Sequence, residues 1–83
     1  MIMERLRDPI RIATVFSPGR QIKPVWFDWH NRKHTILETC YAWNEQSGDS
    51  MLMHFSVRTE EALYELVYNT KEQSWSIHGI GVK

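Results

Sequence analysis

Apolar and polar positions alternate with period two along most of the chain. In "PIRIATVF" (9–16), Ile10, Ile12, Thr14 and Phe16 fall on one face and Arg11, Ala13 and Val15 on the other, which predicts a strand. "SPGR" (17–20) then reads as a turn, with Pro preset for the first central position and Gly supplying positive φ. "IKPVWFDWH" (22–30) is β-rich, and Pro24 places its start at an edge or a bulge because proline cannot donate to a ladder. "MLMHFSV" (51–57) sets Met51, Met53, Phe55 and Val57 against Leu52, His54 and Ser56. "SWSIHGI" (74–80) sets Trp75 and Ile77 against Ser74, Ser76 and His78.

Two stretches break the pattern. "KHTILETCYAW" (33–43) is one long β-rich run, but strict alternation from His34 and Ile36 would carry Glu38 inward. A bulge near Leu37–Thr39 is expected, returning Cys40 or Trp43 to the core; "NEQSGDS" (44–50) reads as a loop. In "RTEEALYELVYNTKEQ" (58–73), Thr59 with Glu60 and Glu61 resembles a helix N-cap, and Ala62, Leu63, Leu66 and Val67 fit a helical stripe. The short apolar run, Tyr64, Val67 and Tyr68, and the hairpin-like "NTKEQ" favour strand instead. The sum is an all-β fold: a six-stranded antiparallel meander closing into a barrel-like sheet. The alternative is an α+β fold with a helix over 60–68. Residues 1–8 read as a charged arm ended by Asp8–Pro9, and 9–83 as a single small domain.

"FDWHNRKHTI" (27–36) predicts a hairpin whose loop is either His30–Asn31 or the wider His30–Lys33, since Asn31 tolerates positive φ. Both versions place Val25, Phe27 and Trp29 on one face with His34 and Ile36, and Trp26 and Asp28 on the other near Lys33 and Thr35. Cross-strand pairs of this kind contribute about 0.2–1 kcal/mol each. Structural duty therefore accounts for Trp29 and His34, with Arg32 capping the loop or lying over the Trp29 ring. Trp26 is expected to point outward beside Leu37 as a small apolar patch, suited to a dimer contact, a partner protein or a stacked base.

The ordered set Pro9–Ile10–x–Ile12, Phe27–x–Trp29–x–Asn31–Arg32–x–His34–x–Ile36, Trp43, Tyr64–x–Leu66, Trp75–x–Ile77 and Ile80 resembles a family of short bacterial proteins of unknown function. That family's pattern runs Phe-x-Trp-x-Gly-Arg-x-Tyr-x-Val, then Trp, Tyr-x-Leu and Trp-x-Leu. The chain departs from it at Asn31, where the family has Gly, and at His34, where it has Tyr. The resemblance spans residues 9–80 and implies a small all-β domain with no assigned activity. Some similar domains stand beside DNA-repair polymerases, so the resemblance lends the nucleic-acid reading a little weight.

Composition narrows the chemistry further. Ten basic and ten acidic side chains cancel, so no global field points to nucleic acid or membrane. Residues 1–42 nonetheless carry seven of the basic side chains against four acids. The ten aromatics, four of them Trp, give a short chain large pieces to bury. A lone Cys40, no apolar run long enough for a signal peptide and no membrane span predict a soluble cytoplasmic protein. His30-x3-His34 is the one close histidine pair; its members fall on opposite faces of the hairpin, so no metal site is expected. No Ser or Cys stands beside an oriented base, Glu60–Glu61 offers no acid/base pair, and "GIGVK" lacks a phosphate loop's spacing. The sequence therefore predicts a non-catalytic interaction module without cofactor, pairing with itself or another protein through a sheet edge or the Trp26 patch. The alternative is an accessory domain for single-stranded nucleic acid, with Trp26 as stacking platform and Arg11, Arg20, Lys23, Arg32 and Lys33 as its cations.

Overall fold

A computed structural model describes residues 3–19 and 21–81. Among the described residues, eight strands form two separate antiparallel sheets. β1 (Met3–Pro9), β8 (Ser74–Gly81), β7 (Leu63–Asn69), β6 (Ser50–Arg58) and β5 (Glu38–Ser47) lie side by side in that order. The second sheet orders β2 (Arg11–Ser17), β3 (Gln21–Trp29) and β4 (Arg32–Thr35). The fold is all-β, and no helix occurs among the described residues.

This corrects the expected six-stranded, barrel-like closure. Two near-continuous strands switch sheets instead of closing a single ladder. Pro9 pairs with Ser76 in the large sheet, Ile10 donates its N–H to the Trp75 carbonyl, and Arg11 already pairs with Asp28 in the small one. At the second corner Ile36 donates to the Val25 carbonyl in the small sheet, while Leu37 donates to the Arg58 carbonyl in the large one. Corners of this kind let one chain serve two packed sheets without a closed ladder.

The extra strands come from two places. From Met3 onward the stretch read as a charged arm is β1, paired with β8 from Met3↔Gly81 to Pro9↔Ser76. The run 33–43 divides at Ile36–Leu37 into β4 and β5, and β5 continues through Ser47, so most of the expected loop is strand. The β5–β6 turn is only Gly48–Asp49, with Gly48 at φ 61. Helix is also overturned at 60–68. Thr59 does behave as a cap, its Oγ accepting from the Glu61 and Ala62 N–H groups at 3.2 Å each. The chain then enters β7, where Leu66 and Val67 are buried. The Asn69 carboxamide oxygen accepts from the Lys71 and Glu72 N–H groups at 3.0 Å, shaping the turn into β8.

The core lies between the sheets. Phe27 from the small sheet meets Phe55, Val57, Tyr64, Leu66 and Ile77 from the large one, and Ile12, Ile22, Trp29, Ile36, Met53 and Trp75 pack around them. Phe27 stacks on His34 at 4.9 Å and meets the Tyr64 ring edge-on at 5.2 Å, an arrangement aromatic quadrupoles favour. Pro24 is buried in β3 where the β2–β3 register slips between Ala13 and Thr14, so the proline sits at a bulge. No helix among the described residues is long and apolar enough to cross a membrane.

Candidate interaction surfaces

The strand β5 differs from every other strand. It ends the large sheet, and no strand pairs with its outer edge among the described residues. All ten of its residues are exposed, on both faces. Tyr41 is 72% exposed and Trp43 43%. The cause lies in the shape of the small sheet. β4 is only four residues long, and an open cleft of about 500 Å³ lined by Ile22, Lys23, Leu37, Ala42 and Phe55 separates β5 from the β2–β3 hairpin. The β-bulge expected at Leu37–Thr39 falls at Thr39/Tyr41, where Cys40 is the extra residue. It does not return Cys40 or Trp43 to the core: both are exposed.

Trp43 lies flat on its neighbour across the ladder. Its indole stacks on the His54 ring at 4.9 Å with 7° between planes, which is why a histidine on the outer face is only 8% exposed. His54 Nε2 contacts Glu45 Oε1 at 2.8 Å, and its Nδ1 lies 3.7 Å from Glu65 Oε1, while Arg5 pairs with Oε2 of the same carboxylate at 3.5 Å. On the same face the Ser76 hydroxyl and His78 Nε2 are 2.8 Å apart. Burial, and then the Arg7 guanidinium, push His78 below the usual histidine range.

The residues nominated from sequence divide into three groups. Arg11, Lys23, Trp26 and Lys33 share the outer face of the small sheet: Ile12, Ile22 and Phe27 point into the core, and their neighbours point away. Lys33 Nζ sits 4.9 Å from the centre of the Trp26 ring, and Arg11 makes a close pair with Asp28 at 2.5 Å. Trp26 is half-buried under this lysine, and Leu37, 49% exposed, donates its N–H to the Arg58 carbonyl at the corner into β5. Arg32 lies elsewhere, bonded to Glu61 at 2.5 Å rather than to the Trp29 ring. Arg20 lies outside the described residues.

The hairpin carrying Arg32 holds residues whose convergence sequence did not reveal. Its turn is the two-residue version, with His30 at φ 54 and Asn31 at φ 59. That backbone folds the His30 ring back onto Trp29, stacked at 4.0 Å, so His30 and His34 flank one indole rather than lying on opposite faces. The Trp29 N–H donates to Asp8 Oδ2 at 3.1 Å, tying the hairpin to β1. Among the described residues, no three His, Cys, Asp or Glu side chains are arranged to hold a metal ion. Compared with known proteins, the chain matches no family model, no curated sequence and no solved structure.

Proposed function

We propose that this protein is an interaction module whose docking element is the free edge of β5, and that its partner is β5 of a second copy. The observation that carries this reading is the exposure of all ten residues of that strand, Tyr41 and Trp43 included. An unpaired edge offers a row of N–H and C=O groups to an incoming strand. β5 carries no lysine or arginine and no proline to discourage pairing. A two-fold axis through Ala42 sets Tyr41 opposite Trp43 of the second copy, and the same pair again by symmetry. In that register Glu38 faces Gln46 and Glu45 faces Thr39, so no like charges meet. Aromatic cross-strand pairs contribute about 0.2–1 kcal/mol each beyond the backbone bonds, and a net charge of zero leaves no global repulsion.

Multi-angle light scattering over a hundredfold concentration range tests this. The wild type should rise from monomer to dimer mass, and Tyr41→Lys, which places a cation on the edge, should stay monomeric. A wild-type mass fixed at the monomer value, or a Tyr41→Lys variant that still dimerises, overturns self-pairing.

A second reading rests on a separate observation, the gathering of Arg11, Lys23, Lys33 and the Trp26 ring on one sheet face. Three cations on a face that also carries an indole suit single-stranded nucleic acid, where stacking contributes about 1–3 kcal/mol per base. Asp28 neutralises Arg11, leaving Lys23 and Lys33 to act. Titration of a labelled oligonucleotide at two salt concentrations separates this reading from the first: affinity must fall with salt and with Lys33→Glu.

A further inference from the structure

A cleft of about 360 Å³ opens between the β3–β4 hairpin and the loop leading into β7, lined by Trp29, His30, Arg32, His34, Glu61 and Tyr64 among others. Its floor is His34, whose ring is 6% exposed and packed among Phe27, Trp29 and Tyr64. The Nδ1 atom of that ring is buried with no hydrogen-bond partner. It looks toward Glu61 Oε1 at 3.6 Å, too far for a direct hydrogen bond. The other carboxylate oxygen, Oε2, is held by Arg32 at 2.5 Å. One wall is Trp29, locked on its edge by Asp8 and on its face by His30; Tyr64 meets it at 6.1 Å, ring against edge.

These features select one kind of ligand. A buried polar atom left without a partner costs about 1–3 kcal/mol, so a group that satisfies it is strongly favoured. Burial pushes His34 below the usual histidine range, with Glu61 opposing that shift and Arg32 adding to it. A neutral ring whose other nitrogen carries the proton presents Nδ1 as an acceptor. Glu61 Oε1 is a second acceptor 3.6 Å away. Two acceptors side by side ask for a donor with more than one N–H. Indole and phenol faces attract a cation in addition. An anion would find only Arg32, whose charge Glu61 already neutralises.

We propose that this cleft binds a small organic ammonium ion, its N–H groups shared between His34 Nδ1 and Glu61 Oε1 and its apolar body laid against Trp29. The ammonium group belongs either to a free amine or to a lysine side chain, and both present the same head to the cleft. Arg32 is then an internal competitor, occupying Glu61 until the ligand arrives. This gives the site an unusual signature: removing one member of the Arg32–Glu61 pair weakens binding, and removing the other strengthens it.

NMR titration of the full chain near pH 7.5 tests the proposal, following the Trp29 indole N–H and the His34 ring signals. Benzylammonium and Nα-acetyl-lysine methylamide are the two cationic probes, the first for a free amine and the second for a lysine side chain. Benzyl alcohol and benzoate are the neutral and anionic controls. Saturable shifts with either cation, at least tenfold tighter than with either control, are expected. Glu61→Gln should weaken that binding at least tenfold, His34→Phe severalfold, and Arg32→Gln should tighten it severalfold. Glu61 and Arg32 are partly exposed, so both variants should fold, and a preserved amide spectrum verifies this. The proposal fails if neither cation shifts these signals, if the controls bind equally well, or if Arg32→Gln weakens binding as Glu61→Gln does.

Discussion

Phe27 and Tyr41 are aromatic residues on strands of neighbouring antiparallel hairpins, and their fates are opposite. Phe27 sits on β3, opposite His34, and is 0% exposed; Tyr41 sits on β5, opposite Ser56, and is the most exposed aromatic of the two hairpins. The β3–β4 hairpin pairs only four rows, from Trp26↔Thr35 to Trp29↔Arg32, whereas β5 and β6 pair from Glu38↔Arg58 to Ser47↔Ser50. Ladder length therefore does not decide burial. What decides it is whether a second sheet covers the face, and the small sheet covers β7 and β8 but stops short of β5. The short hairpin belongs to the core, and the long strand lies exposed at the end of its sheet.

The sharpest way to break this comparison is to truncate the buried ring. Phe27→Ala removes a side chain in contact with His34 and Tyr64, and such cavities cost about 3–5 kcal/mol. Against a typical domain stability of about 5–15 kcal/mol, that leaves the fold marginal. Urea unfolding followed by Trp fluorescence should show the midpoint falling by a large fraction, or no folded baseline at all.

A smaller loss is expected at the hairpin's turn. His30 and Asn31 both hold positive φ, and a β-branched residue in that region costs about 1–2 kcal/mol. Asn31→Val should destabilise by that amount in the same unfolding experiment, and Asn31→Gly should be neutral or slightly stabilising. The variant pair also bears on His30, because the turn's backbone is what stacks that ring on Trp29.

This hairpin is where the sequence was most legible, for a physical reason. A two-residue turn fixes register locally, so alternation alone places Phe27 and His34 inward and sets Lys33 beside Trp26. β5 was not legible because its surroundings are set at a distance. The corner at Ile36–Leu37 depends on two carbonyls, Val25 and Arg58, one in each sheet. His54 shows the same limit: alternation places it outward correctly, yet Trp43 from the next strand buries it. Closure failed for a related reason, since period two is identical in a barrel and in two sheets joined by corners. In the hairpin cleft, Arg32 and Glu61 stand 29 residues apart, and no local pattern joins them. His30 alone left a local clue, its place beside Asn31 in a turn requiring positive φ.

The histidines give a pH version of the comparison. His34 and His78 are both lowered from 6.5, chiefly by burial, so the folded state prefers their neutral forms. Above the unfolded value both states carry neutral rings and stability is complete. As pH falls from 6.5 toward and through the lowered values, the unfolded chain takes up protons first and stability is lost. Thermal melting should therefore show a Tm declining below pH 6.5, with a shallower slope in His34→Phe. Tyr64 acts at the other end: burial and Glu61 raise its pKa, so its contribution is present below 10.0 and fades as pH rises through the raised value.

The smallest effect is expected at the residue with which the comparison began. In the monomer Tyr41 buries little, and Tyr41→Ala should change unfolding free energy by no more than about 0.5 kcal/mol, as exposed positions usually do. Under dilute conditions its unfolding curve should overlay that of the wild type, in contrast to Phe27→Ala. At high concentration the two should separate, because a wild type that pairs its β5 strands gains apparent stability by mass action and the variant forfeits part of it. Paired unfolding curves at low and high protein concentration read both quantities at once. A loss above about 1 kcal/mol in the dilute sample would mean that Tyr41 supports the monomer itself, and β5 would then belong to the fold rather than to its partner.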